Sequence, residues 1–179
     1  MTRYGMLIDT TKCVECFGCR VACQMQNGLP PEEAFIKFYE QEEGVYPNVS
    51  FYAVPVQCQH CENPPCMHNC PTGATYQTKD GIVLVDENKC IGCKYCVVSC
   101  PYQARVPNHE TGVVEKCRFC AEEVAAGNQP ICVNTCVGNA RIFGDLDDPN
   151  SEISKEIIAR KAKPLREDLG TKPKIYYVR

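Results

Sequence analysis

Sixteen cysteines fall along this 179-residue chain in four groups of four, with none left over. Cys13, Cys16, Cys19 and Cys23 follow C-x2-C-x2-C-x3-C, and Cys90, Cys93, Cys96 and Cys100 repeat that rhythm with Pro101 directly after. Cys58, Cys61, Cys66 and Cys70 widen one gap to four residues and are followed by Pro71. Cys117, Cys120, Cys132 and Cys136 widen the same gap further. Three cysteines at two-residue intervals can wrap one compact iron–sulfur cube with a single tight loop, while the fourth leaves in another direction and serves a different cube. A structural zinc site instead wants two C-x2-4-C hairpins closing one tetrahedron, a pattern that only the fourth group partly shows. Sixteen thiolates suffice for four [4Fe–4S] clusters at four ligands each.

Composition narrows the alternatives. So much cysteine signals a scaffold held by disulfides or by metals, and the disulfide class fits small secreted chains carrying a signal peptide. Here Met1-Thr2-Arg3-Tyr4-Gly5 runs into the first cysteine loop with no apolar h-region and no A-x-A cleavage pattern. No stretch approaches the roughly 20 apolar residues of a membrane span. The expectation is a soluble chain loaded with metal in a reducing cytoplasm, any later export depending on a partner that carries the signal. A net charge of −3 and a pI of about 5.7 leave no basic excess for neutralising nucleic-acid phosphates. Lys12, Arg20, Lys89, Lys94, Lys116 and Arg118 lie near the loops, either offsetting ligated thiolates or forming ordinary solvated surface. No G-x-G-x-x-G, P-loop or C-x-x-C-H pattern occurs, so neither a nucleotide nor an attached c-type haem is expected. His60, His68 and His109 are candidate ligands or acid–base groups; His60 and His68 sit inside cysteine loops and read as packing groups or as supports for the ligating cysteines, and the carboxylates show no catalytic arrangement. The chain is expected to carry no substrate chemistry of its own.

Two internal echoes run through the sequence. Met6-Leu7-Ile8-Asp9-Thr10-Thr11-Lys12-Cys13 matches Val83-Leu84-Val85-Asp86-Glu87-Asn88-Lys89-Cys90, and Pro65–Ala74 aligns loosely with Ile131–Ala140. Each member of the first pair reads as a short strand, an Asp turn and a cluster loop. Strands are expected over residues 3–9, 81–86 and 51–56, and short helices over 17–26 and 93–99, with Pro71 and Pro101 stopping further turns. Residues 24–57, with Pro30-Pro31 and the acidic run Glu40–Glu43, read as a linker-like insertion. A helix is expected over 149–161, with Asp148 as its cap and Ile153, Ile157 and Ile158 on one face. The aromatic tail 170–178 reads as extended, packing on a partner or, as the alternative, on its own chain.

These residues resemble the four-cluster electron-transfer subunits of the molybdopterin oxidoreductases related to dimethyl sulfoxide reductase, most of all the polysulfide and thiosulfate reductase branch. The likeness covers nearly the whole chain. It rests on Cys13-Val-Glu-Cys16-Phe-Gly-Cys19, Cys58-Gln-His-Cys61-Glu-Asn-Pro-Pro-Cys66-Met-His-Asn-Cys70-Pro71-Thr-Gly-Ala74 and Cys90-Ile-Gly-Cys93-Lys-Tyr-Cys96-Val-Val-Ser-Cys100-Pro101-Tyr102. It continues through Lys116-Cys117-Arg-Phe-Cys120, Phe143-Gly144-Asp145-Leu146 and Leu169–Lys174. Departures are Gln24 and Val137 where proline usually follows the last cysteine of groups one and four, and a short stretch between Cys100 and Cys117.

The resemblance implies an α+β fold of two ferredoxin-like units, each with two [4Fe–4S] clusters: residues 1–26 with 112–143 form the first, 27–57 an insertion, 58–111 the second, and 144–179 a C-terminal helix and partner-docking tail. It implies one cluster on Cys13, Cys16, Cys19 and Cys136, and a second on Cys23, Cys117, Cys120 and Cys132. A third falls to Cys58, Cys61, Cys66 and Cys100, and a fourth to Cys70, Cys90, Cys93 and Cys96. It further implies a large molybdopterin catalytic partner, a quinone- or haem-bearing membrane partner, and a place at the bacterial inner membrane, on the periplasmic side after co-export with a twin-arginine-signal partner or, as the alternative, on the cytoplasmic side. A free multi-cluster ferredoxin and a zinc-bound interaction module are the other two readings of the same cysteines.

Overall fold

A strand buried on both faces reads as a continuous apolar run, and Met6-Leu7-Ile8 is one: all three are buried. The computed structural model describes residues 2–179, and in it this run lies within β1 (Tyr4–Asp9). There follow α1 (Gly18–Gln26), β2 (Lys37–Val45), β3 (Asn48–Val56), α2 (Pro65–His68), β4 (Thr75–Gln77), β5 (Val83–Val85), α3 (Tyr95–Val98), β6 (Val106–Pro107) and β7 (Val114–Glu115). The chain continues through α4 (Ala121–Ala125), α5 (Ile131–Asn134), β8 (Arg141–Asp145), α6 (Glu152–Ala159), β9 (Lys163–Pro164) and β10 (Ile175–Val178). The fold is α+β, with four short helices placed inside the cysteine loops.

β1 is an inner strand of a four-stranded sheet ordered β8-β1-β10-β9, antiparallel to β8 and parallel to β10. Its two faces meet different partners. Leu7 and Val178 pack under Ile153 of α6 and Ala162. Met6, Ile8, Phe143, Ile175 and Tyr177 face the other way, into a core that also holds Cys19, Cys23, Cys58, Cys61, Cys117 and Cys132. One apolar layer therefore backs the cysteine loops directly. Aromatic rings knit its centre: Tyr4 stacks on Phe143 at 5.3 Å, Phe143 meets Phe119 edge-on at 5.3 Å, and Phe119 stacks on His60 at 3.8 Å.

The sequence echoes are echoes of geometry. In the antiparallel pair β1/β8, Ile8, Leu7 and Met6 stand opposite Arg141, Ile142 and Phe143. In β5/β4, the corresponding Val85, Leu84 and Val83 stand opposite Thr75, Tyr76 and Gln77, in the same register. Asp9 N–H donates to Ala140 O at 2.8 Å, and Asp86 N–H to Ala74 O at 2.8 Å. Each Asp side chain then accepts from the N–H two residues on, Thr11 at 3.0 Å and Asn88 at 3.1 Å, forming the turn that aims the chain into its cysteine loop. Left-handed backbone recurs at matching places, Glu15 with Gly92 and Phe17 with Lys94. Such φ values are uncommon outside glycine, and tight wrapping by the three-cysteine loop is what imposes them.

Two expectations are corrected. The supposed linker holds a regular hairpin: β2 and β3 pair over nine positions, from Lys37 with Val56 to Val45 with Asn48. Its acidic run lies on an exposed strand, where charge discourages edge-to-edge association. Helix α6 begins at Glu152 rather than 149, because Ser151, not Asp148, is the cap: its Oγ accepts from Ser154 N–H at 3.2 Å. Asp148 instead closes the preceding turn on Asn150 N–H, and Ile158 points to solvent. The tail packs on its own chain. Met6 N–H donates to Lys174 O at 3.0 Å, and Thr10 N–H to Val178 O at 3.0 Å, so β10 is sealed against β1. Just upstream, Glu62 and Asn63 N–H donate to Lys172 O and Thr171 O, and Lys174 N–H donates to Gln59 O. The tail thereby ties the second cysteine group to the sheet behind the first.

Candidate cluster sites

All sixteen cysteines carry free thiols, and two cavities are each lined by four cysteines drawn from more than one sequence group. One cavity is lined by Cys23, Cys117, Cys120 and Cys132, with Phe35, Gln57 and Phe119 closing it. A second is lined by Cys70, Cys90, Cys93 and Cys96, with Arg105 and Val114. Cys61 shares its surroundings with Cys58, Cys66 and Cys100; burial, reinforced by these sulfurs, pushes its thiol up to about 12. Burial likewise lifts Cys23 to about 12, with Cys132 and Cys120 adding to it. Helix α1 packs on α5, Cys19 lies in the field of Cys132 and Cys13, and Ala140 N–H donates to Cys136 Sγ at 3.2 Å.

The donor chemistry fits iron–sulfur clusters. Eight of the cysteines are buried, and a buried thiolate is costly unless a metal or a cation faces it. Backbone N–H groups point at sulfur, as cluster thiolates require: Ala140 to Cys136, Phe119 to Cys117 at 3.5 Å, and several at Cys70. For Cys70, burial works upward, but hydrogen bonds from Thr75, Thr72 and Ala74 outweigh it and hold the thiol below its ordinary value. Among the described residues, no three His, Cys, Asp or Glu side chains close on a single ion.

Charge compensation comes from residues that sequence reading largely missed. Arg105, Lys116 and Arg141 are 4%, 2% and 5% exposed. Burial opposes their charge, but for Arg141 the sulfurs of Cys132 and Cys19, and for Arg105 those of Cys66 and Cys58, more than restore it. Burial lowers Lys116, with Cys58 and Cys117 working the other way. Of the cations expected to offset the thiolates, only Lys116 is buried. Lys12, Lys89 and Arg118 are exposed and paired with Asp9, Asp86 and Glu87. Arg20 is half-buried and Lys94 exposed. His60 is a packing group, as expected: fully buried on Phe119, it accepts Val83 N–H through Nδ1 at 3.1 Å, and burial keeps it neutral. His68 bonds Asn63 at the surface and His109 is exposed.

Two cavities lined by four cysteines each, with further cysteines buried in the apolar cores, fit an iron–sulfur protein, and comparison with known proteins agrees. The 4Fe-4S dicluster domain family matches residues 49–146. The B component of tetrathionate reductase from Salmonella typhimurium is 43% identical over 98% of this chain and 72% of its own length. The B component of polysulfide reductase from Wolinella succinogenes is 39% identical over 98% of this chain and 94% of its own. The B component of sulfite dehydrogenase from Allochromatium vinosum is 38% identical over 99% and 83%. The protein belongs to the family of iron–sulfur subunits of molybdopterin oxidoreductases, and its sixteen cysteines match four [4Fe–4S] clusters. Among the described residues, no helix is long and apolar enough to cross a membrane.

Proposed function

We propose that this chain relays single electrons through four [4Fe–4S] clusters between a molybdopterin catalytic subunit and a membrane quinone- or haem-bearing subunit, in anaerobic respiration of a sulfur, selenium or arsenic acceptor. Tetrathionate, selenate and polysulfide reductases among the relatives support that acceptor class. The clusters supply reversible one-electron chemistry; the chain's residues set spacing, burial and charge. Cys13, Cys16, Cys19 and Cys136 hold the first cluster, and Cys23, Cys117, Cys120 and Cys132 the second. Cys58, Cys61, Cys66 and Cys100 hold the third, and Cys70, Cys90, Cys93 and Cys96 the fourth. Groups one and four make one ferredoxin-like unit, and groups two and three the other. The observation that carries this reading is the cavity on which Cys23 meets Cys117, Cys120 and Cys132, joining the first cysteine group to the last. The matched registers of β1/β8 and β5/β4 support the two-unit fold.

Two features favour a fixed place between partners over a free carrier. Cys16 and Cys93 are the two exposed cysteines, one in each outermost set. Apolar side chains stand in solvent beside them: Val14, Phe17 and Met25 at one end, Ile91, Tyr95 and Val98 at the other. Exposed apolar patches of this kind mark interaction surfaces. With a partner in a respiratory membrane, the subunit works peripherally to it, on the periplasmic side if a twin-arginine-signal partner carries it across and on the cytoplasmic side otherwise.

The ligand sets are tested by single Cys→Ser variants followed by electron paramagnetic resonance. Cys136→Ser and Cys16→Ser are expected to remove the same signal, and Cys132→Ser and Cys23→Ser a different common one. Loss of one shared signal in Cys132→Ser and Cys136→Ser would contradict the crossed sets.

A further inference from the structure

Arg105, Lys116 and Arg141 are buried, and cysteines from two of the proposed sets contribute to the electrostatic surroundings of each. Arg141 opens β8; its Nη1 donates to Gln57 Oε1 at 2.9 Å while Nη2 has no hydrogen-bond partner. It lies in the field of Cys19 and Cys136 of the first set and Cys132 of the second. Lys116 donates through Nζ to Cys117 O at 2.8 Å and to Val83 O. It lies in the field of Cys117 of the second set and of Cys58 and Cys66 of the third. Arg105 lines the cavity of the fourth set, and both its Nη atoms lack hydrogen-bond partners. It lies in the field of Cys66 and Cys58 of the third set and Cys96 of the fourth. Among the described residues, none of the three is ion-paired to a carboxylate. A buried cation without a counter-charge is costly, so something anionic must face it, and thiolate-ligated clusters are what these residues face.

We propose that the three residues are positioning residues for electron relay: one cation in each of the three gaps of the cluster series, raising the reduction potentials of the two clusters it separates. The proposal rests on the ligand sets given above. Reduction adds negative charge to a cluster, and a cation at short range in a low-dielectric interior favours the reduced form. An electron passing from one cluster to the next stays within reach of the same cation, so each gap is electrostatically levelled. The solvated lysines and arginines of the loops act through water and salt and cannot do this as strongly.

The test is a potentiometric titration monitored by electron paramagnetic resonance, on the complex purified anaerobically. Signals are first assigned by their loss in Cys16→Ser, Cys120→Ser, Cys61→Ser and Cys93→Ser. If those losses group differently from the four sets, the ligand reading itself fails, and this is settled before any cation is changed. With the sets in place, Arg141→Met is expected to lower the midpoints of the first two clusters and leave the third and fourth where they are. Arg105→Met is expected to lower the third and fourth and leave the first two. Lys116→Met is expected to lower the middle pair. Arg105→Lys and Arg141→Lys should keep midpoints near those of the unsubstituted protein. Unmoved midpoints at full iron content, or all four moving together, would overturn the proposal. If a Met variant loses iron, the charge-keeping variant (Arg105→Lys, Arg141→Lys or Lys116→Arg) and the Gln variant at that position decide: a lower pair of midpoints in Gln supports the proposal, and equal midpoints overturn it.

Discussion

The hairpins β1/β8 and β5/β4 share a register, an Asp turn and a following cysteine loop, yet one is the heart of a four-stranded sheet and the other stays a two-stranded pair. β10 and β9 extend the first hairpin to four strands, and α6 covers its outer face, leaving Leu7 2% exposed. The second hairpin has three paired positions and no further strand, and its Leu84 is only half-buried. The same cysteine frame therefore does not need the same scaffold. What the two regions have in common serves the clusters; what differs serves the apolar core, and the tail is the element that joins one to the other.

Ligand loss should not notice the difference. Cys16→Ser and Cys93→Ser, equivalent positions in the two hairpin-loop units, are each expected to cost about a quarter of the iron, the share of one cluster in four, read by iron assay and electron paramagnetic resonance. Loss of all iron in one but not the other would mean that the scaffolds are coupled to the clusters after all.

Core substitutions should expose the difference. Leu7→Ala is expected to cost about 2–5 kcal/mol, the usual range for a buried leucine, while Leu84→Ala should cost about 1 kcal/mol because less surface leaves water. Anaerobic urea unfolding of the cluster-loaded protein compares them, and equal midpoints would contradict the contrast.

The Asp turns give a finer contrast. Burial alone would raise the Asp9 carboxyl, but bonds from Thr11 and the nearby Arg160 at 3.0 Å outweigh it and hold it below the usual carboxylate range. Its folded pKa is thus depressed, so its contribution is present above the ordinary carboxylate pKa and lost as pH falls through the folded value. Asp9→Asn is expected to destabilise by about 1–3 kcal/mol at neutral pH, with the deficit shrinking below about pH 4. Asp86→Asn, half-exposed with Lys89 as its partner, should cost less than about 1 kcal/mol. Thermal scans at pH 7 and in acid check both.

Much of this contrast is legible in the sequence, and the rest is hidden for physical reasons. Cluster loops are local: three cysteines at fixed spacing determine their own wrapping, so all sixteen thiols are marked by their rhythm. The echo of Met6–Cys13 in Val83–Cys90 announces the repeated hairpin. β10 gives no such sign, because its pairing with β1 spans nearly the whole chain and depends on no turn that can be read locally. The β2/β3 hairpin is masked by Glu40, Glu42 and Glu43, which read as linker because that strand buries neither face. Arg105 and Arg141 are the least legible of all, since arginine is ordinarily a surface residue and only the folded chain shows which ones are surrounded by sulfur.

The most direct test of the four-cluster relay is the iron, sulfide and molybdenum or tungsten content of the complex purified anaerobically from its native source, with every co-purifying polypeptide counted. About 16 iron and 16 sulfide per copy, with molybdenum or tungsten in a stoichiometric large partner, is the expected result. Zinc without sulfide, or full iron with no metal-bearing partner, would contradict it.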